Sequence, residues 1–218
     1  MMTKARIASL TGLVMVLSFV LTACEGPSPD QESLAYSEDL YDGCVQCHGQ
    51  HAEGNQKVGA PAIAGLQRWY VKRQLRHFKR GYRGFAPDDT GGKRMAPMAR
   101  TLDTDMKVDL VAAYVASLPR AKPAPTLEGG NPGTGKIYFA VCQTCHGADA
   151  QGNIDQFAPP LAGASDWYLL RQLQNFKAGM RGTHPGDATG AKMRLFSMTL
   201  PNEQAMKDVI AYIGTLSK

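Results

Sequence analysis

Cys44-Val45-Gln46-Cys47-His48 returns 98 residues later as Cys142-Gln143-Thr144-Cys145-His146. Two cysteines three apart, followed at once by histidine, form the attachment pattern of a c-type haem. Each thiol adds to a vinyl group of the porphyrin, and the adjacent imidazole is set against the iron as its fifth ligand. A single copy also fits a thioredoxin-like redox pair, a zinc site or a short disulfide. The zinc reading would have to join the two pentapeptides, and the thioredoxin reading needs a βαβ setting that the surrounding pattern does not offer. Two copies, each followed by glycine, point to two covalently bound haem c groups held through Cys44, Cys47, Cys142 and Cys145, with His48 and His146 on the irons.

The recurrence extends well beyond the pentapeptides. Residues 44–118 lie over 142–216 without a gap, with about 31 of 75 positions identical. Trp69-Tyr70 falls on Trp167-Tyr168, Arg73-Gln74-Leu75 on Arg171-Gln172-Leu173, and Arg83-Gly84 on Arg181-Gly182. Fixed-period self-similarity marks a duplicated unit. Apolar residues at Val71, Leu75 and Phe78, and again at Leu169, Leu173 and Phe176, keep to one helical face. Gly81 and Gly179 are expected stops, Thr104 and Asn202 expected N-caps of a last helix. The methionine-bearing segment between these helices reads as a loop. The fold class is therefore all-α: a signal peptide over 1–23, a lipidated flexible tether over 24–33, a first domain over 34–118, a Pro-rich linker over 119–132 and a second domain over 133–218.

Met95 lies 47 residues after His48, and Met193 lies 47 after His146. Equal spacing is what a shared sixth ligand requires, and thioether ligation raises the potential of haem iron. Met98 and Met198 are the alternatives, although they do not align with each other. His51, His77 and His184 have no histidine at the matching position of the other repeat, so they read as exposed or packing residues. Pro61 and Pro159 each follow their histidine by 13 residues, and their carbonyls are candidate acceptors for the second ring proton of the ligand imidazole. Trp69, Tyr70, Arg73 and their mates fit either haem-propionate contacts or ordinary helix surface.

The formal charge is +5, and about +3 without Lys4 and Arg6 of the leader. Haem propionates would bring the mature protein near neutrality. Basic residues are mixed with acids, which excludes a nucleic-acid surface. A positive start followed by an apolar run is the layout of a secretory signal. Leu21-Thr22-Ala23-Cys24 resembles the lipobox of bacterial lipoproteins, in which the signal is cut before a cysteine that then carries acyl chains. An uncleaved anchor, or cleavage nearby with Cys24 free, is the other reading. Placement on the periplasmic side of a bacterial membrane follows as an expectation.

The doubled Cys-x-x-Cys-His-Gly, the loops Pro61-Ala62-Ile63-Ala64-Gly65 and Pro159-Pro160-Leu161-Ala162-Gly163, and the run Trp167 to Gly179 together resemble the bacterial di-haem cytochromes of the cytochrome c4 type. The resemblance implies two class I cytochrome c domains related by a pseudo-two-fold axis, with haems facing across their interface. It implies His/Met ligation and electron transfer from a quinol–cytochrome c oxidoreductase toward a terminal oxidase or reductase. In that family the ligand methionine precedes by seven residues a leucine that opens the last helical segment, and Met95 with Leu102, and Met193 with Leu200, fit. The lipobox and the loop from Gly84 to Met95, ending in Lys93-Arg94, depart from a typical soluble member and leave open a place as a bound subunit of a respiratory complex. A di-haem peroxidase, which needs one open iron, is the enzymatic alternative. A haem-binding structural or sensory subunit is the other. No small-molecule substrate is expected of a carrier.

Overall fold

The computed structural model describes residues 29–216, so the leader and Cys24 lie outside the described residues. Each repeat contributes four helices: α1 (Pro29–His48), α2 (Arg68–Lys79), α3 (Thr90–Thr101) and α4 (Asp105–Ser117), then α5 (Pro132–His146), α6 (Asp166–Lys177), α7 (Ala188–Ser197) and α8 (Glu203–Thr215). No strand occurs among the described residues. Single antiparallel bridges, Asn55 with Ala60 and Asn153 with Ala158, pin the matching loops after the two pentapeptides.

Local chemistry sets the helix ends. The Thr104 hydroxyl accepts from Lys107 N–H and the Asn202 amide oxygen from Ala205 N–H, each closing a first turn. Gly81 and Gly179 take φ of 73° and 76° just past α2 and α6, the left-handed position that terminates a helix. Three expectations are corrected. The tether read over 24–33 is helical from Pro29, because proline suits a first turn and no breaker follows it until Gly43. The α5 helix begins at Pro132, inside the stretch read as linker, with Asn131 capping Gly133 and Thr134 N–H. The methionine segments are not loops: α3 and α7 carry them, nucleated by Asp89 and Asp187, whose carboxylates accept from Gly92 and Gly190 N–H. Gly91, Gly92 and Pro97 mask α3, and α7 is only 10 residues long with Gly190 in its first turn. Their ends are tied down alike, by Lys79 on the Leu102 carbonyl and Lys177 on the Leu200 carbonyl.

Each repeat has its own core. In the first, α1 packs on α4, and Tyr41 meets Val108, Val111 and Val115. In the second, α5 packs on α8, and Phe139 meets Val209, Ile210 and Ile213. The second crossing is close enough that a Cβ on Gly135 would collide with the Asp208 carbonyl. The linker is strapped to both repeats. Arg120 donates to the carbonyls of Gly65 and Ala162, at 3.3 and 2.9 Å. Asp166 takes the N–H groups of Thr126 and Leu127.

Candidate functional site

A single continuous cavity runs through both repeats and across the seam between them. It is lined by Cys44, Cys47 and His48 of α1 and by Cys142, Cys145 and His146 of α5. A helix brings the cysteines of each pair almost one turn apart, and the helix ends on the histidine. The rest of the wall is largely apolar, with Leu75 and Phe78 from α2 and Leu173 and Phe176 from α6 on the faces read from the sequence.

His48 donates its Nδ1 proton to the Pro61 carbonyl at 2.9 Å, and His146 does the same to Pro159 at 2.8 Å. A carbonyl can only accept, so the proton sits on Nδ1 and the Nε2 lone pair is left for a metal. Burial pushes both imidazoles below their ordinary pKa, against the pull of those carbonyls. Burial also pushes the Cys44 and Cys142 thiols up to about 11. A thiol–disulfide catalyst needs the opposite shift, toward thiolate. This environment suits sulfur held in a neutral, covalent form.

Met95 and Met193 both line the cavity, half-buried on α3 and α7. Met98 also reaches it but is 40% exposed; Met198 is 52% exposed and is not among the lining residues. One matched methionine per repeat thus lines the same cavity as the matched histidines. Tyr70, Arg73, Tyr168 and Arg171 line the same space, whereas Trp69 and Trp167 pack beside it. His51 and His184 are outside it. His77 lines it, with Nδ1 3.6 Å from Asp187 across the seam.

The middle of the seam is polar and reciprocal. Arg83 donates to Gln74 of its own repeat at 2.7 Å and to Gln172 of the other at 3.3 Å. Arg181 donates to Gln172 at 2.6 Å and to Gln74 at 3.3 Å. Each guanidinium lies 4.3 Å from a ring centroid of its own repeat, Phe78 or Phe176. Arg83 also meets the Tyr168 hydroxyl at 3.3 Å, and Asn175 reaches Asp89 at 3.5 Å. Burial pushes Arg181 below its ordinary pKa, and the neighbouring Arg83 adds to it. The seam escaped sequence reasoning, yet it left a signal: Gln74, Arg83 and Asp89 all recur at Gln172, Arg181 and Asp187, away from the haem-binding pentapeptides.

A haem fits this chemistry. Six cationic side chains line the cavity (Arg73, Arg83, Arg94, Arg171, Arg181, Lys192) against the two carboxylates Asp89 and Asp187. Buried Nη1 of Arg73 and Nε of Arg83 and Arg181 have no partner; neither do the second carboxylate oxygens of Asp89 and Asp187. An uncompensated buried charge costs several kcal/mol. Two porphyrins would supply apolar bodies for the walls and propionates to offset the surplus of guanidinium.

The cytochrome c family model matches residues 35–119 and again 134–217. The chain is 32% identical to the thiosulfate dehydrogenase electron acceptor of Stutzerimonas stutzeri (strain A1501), over 78% of this chain and 79% of that one. It is 31% identical to the cytochrome c4 of Thiocapsa roseopersicina, over 80% and 88%. Among solved structures it resembles the cytochrome c4 of Acidithiobacillus ferrooxidans, with a TM-score of 0.63, 25% identity, and 80% and 99% of the two chains covered.

Proposed function

This chain belongs to the cytochrome c family as a di-haem protein of the cytochrome c4 type with two covalently bound haem c groups, and from that premise we infer an exported, lipid-anchored electron carrier with matched His/Met ligation in both repeats. The haem supplies the one-electron couple; the protein supplies attachment, ligands and surroundings. Cys44 and Cys47 hold the first group and Cys142 and Cys145 the second. His48 and Met95 are the axial ligands of the first iron, His146 and Met193 of the second. The carbonyls of Pro61 and Pro159 orient the imidazoles by taking the Nδ1 protons. The observation that carries this reading is the pairing of one buried histidine with one cavity-lining methionine in each repeat, at equal spacing.

With both sixth positions filled, neither iron has room for a peroxide, and the role is electron transfer rather than catalysis. Electrons pass from one repeat to the other across the seam and leave to a terminal oxidase or reductase. Cys24 carries the lipid, and the protein works on the periplasmic side of the membrane. A second reading places the chain after a dehydrogenase instead of a quinol-oxidising complex, because one of its relatives is named as the electron acceptor of thiosulfate dehydrogenase.

Redox titration of the purified protein, followed by visible and near-infrared spectra, tests the ligation. The expected result is two low-spin haems, each with a methionine–iron band, and loss of one band in Met95→Ala or Met193→Ala. A high-spin haem in the unmodified ferric protein would overturn the carrier in favour of the peroxidase. Stopped-flow mixing with a quinol–cytochrome c oxidoreductase and with thiosulfate dehydrogenase separates the two donors.

A further inference from the structure

Arg73 and Arg171 hold matching positions on α2 and α6, and each projects toward the other repeat. They meet different backbones there. Arg171 donates to the Gly59 carbonyl at 2.8 Å. Glycine leaves room for that approach: Gly59 has φ of 70°, and a Cβ on it would lie 3.1 Å from Arg171 Nη1. The position matching Gly59 is Phe157, held at φ of 52°. Its ring meets the incoming Arg73 face-on, with the guanidinium carbon 4.6 Å from the ring centroid. The result is a stacked guanidinium whose Nη1 is buried in the cavity without a partner. Trp69 also packs on Phe157, edge to face at 6.4 Å. One arginine is thus occupied by a backbone carbonyl, and its twin is held free by an aromatic residue in left-handed backbone.

We propose that Arg73 is a positioning residue for a haem propionate, and that the Gly59/Phe157 difference makes it raise the potential of one haem and not of the other. The inference rests on the haem assignment made above. A guanidinium beside a propionate offsets its negative charge. That charge favours ferric iron, so offsetting it favours the ferrous form and raises the potential. Arg171, already bonded to Gly59, contributes less of this. The burial of Nη1 strengthens the interaction, since charge–charge energies grow as the effective dielectric falls.

Spectroelectrochemical titration of the full-length holoprotein tests this without any redox partner. Arg73→Gln should shift the reduction equilibrium of one haem by about tenfold toward ferric, which for one electron is about 59 mV, and leave the other unmoved. Arg171→Gln should shift either haem by less than about threefold. Phe157→Gly, which lets Arg73 reach the carbonyl at 157 as Arg171 reaches that of Gly59, should move the same haem in the same direction by less. Equal shifts in Arg73→Gln and Arg171→Gln, or none in Arg73→Gln, overturn the proposal. If Arg73→Gln does not assemble, Arg73→Met serves instead: it also removes the charge, and its shift must fall on one haem. Absence of covalent haem from the unmodified chain would fail the haem assignment; two haems with equal shifts would fail only the inference about Arg73.

Discussion

The faces the two repeats turn toward each other and the faces they turn outward have diverged to different extents. Across the seam, Tyr70, Gln74, Arg83 and Asp89 are matched without change by Tyr168, Gln172, Arg181 and Asp187. On the outer rim the same alignment sets Ile137 against Asp39, Val141 against Gly43, Ile154 against Gln56, and Leu195 against Pro97. Ile137 and Leu195 are 74% and 68% exposed. A seam residue faces a copy of its own neighbourhood, so changing one side leaves a buried partner unsatisfied on the other. Rim residues meet water and bear no such constraint. The seam keeps the two sites alike, and the rims and the Gly59/Phe157 difference make them distinct.

Removing a seam guanidinium has the largest expected effect on that comparison. Arg83→Met should destabilise the holoprotein by about 1–3 kcal/mol in denaturant unfolding, because Gln74, Tyr168 and Gln172 lose a buried charged donor. Arg181→Met should cost a similar amount and the double variant less than the sum. A loss for Arg181 under half that for Arg83 would break the two-fold account of the seam.

The cores offer a sharper contrast. Tyr41 and Phe139 are matched and both 1% exposed, but only Tyr41 has a hydroxyl, which donates to the Gly49 carbonyl at 3.0 Å. Tyr41→Phe should cost about 1 kcal/mol. Phe139→Tyr places a hydroxyl where the Gly147 carbonyl stands in the second repeat, and a gain in melting temperature would show that the two cores are interchangeable there. Thr104→Ala and Asn202→Ala should each lose about 1 kcal/mol or less, equally in the two repeats.

The smallest effect concerns a second seam pair that differs. His77 faces Asp187, where the reciprocal pair is Asn175 with Asp89. Burial pushes the His77 imidazole down to about 4; Asp187 opposes this, while Arg73, Arg83 and Arg181 add to it. The folded protein therefore binds fewer protons than the unfolded chain between about 4 and the ordinary histidine value of 6.5. The contribution is present above that window and is lost as pH falls through it. His77→Asn should flatten this part of the stability–pH curve; an unchanged slope would assign it to another group.

Much of the site was legible in the residues themselves. The pentapeptides are local: cysteines three apart on a helix and a histidine next in line need no tertiary information to imply a porphyrin. Duplication then supplied internal spacing, which singled out Met95 and Met193 and drew Pro61 and Pro159 into consideration. The helix α3 was not legible because Gly91, Gly92 and Pro97 lower helix propensity, and α7 because it is only 10 residues long and opens on Ala188-Thr189-Gly190; the caps Asp89 and Asp187 act only once they turn back on their own first turns.

The sequence alone determined that there are two like units, all helical, each built to take a haem by the same bonds. Those facts depend on near neighbours in the chain and on a repeat that can be counted. Tertiary structure decided how the units meet: which arginine finds a carbonyl, which is left free, and which carboxylate faces His77. Those contacts join residues about 90 to 110 positions apart, and their meeting depends on the docking of two folded surfaces, which local pattern does not encode.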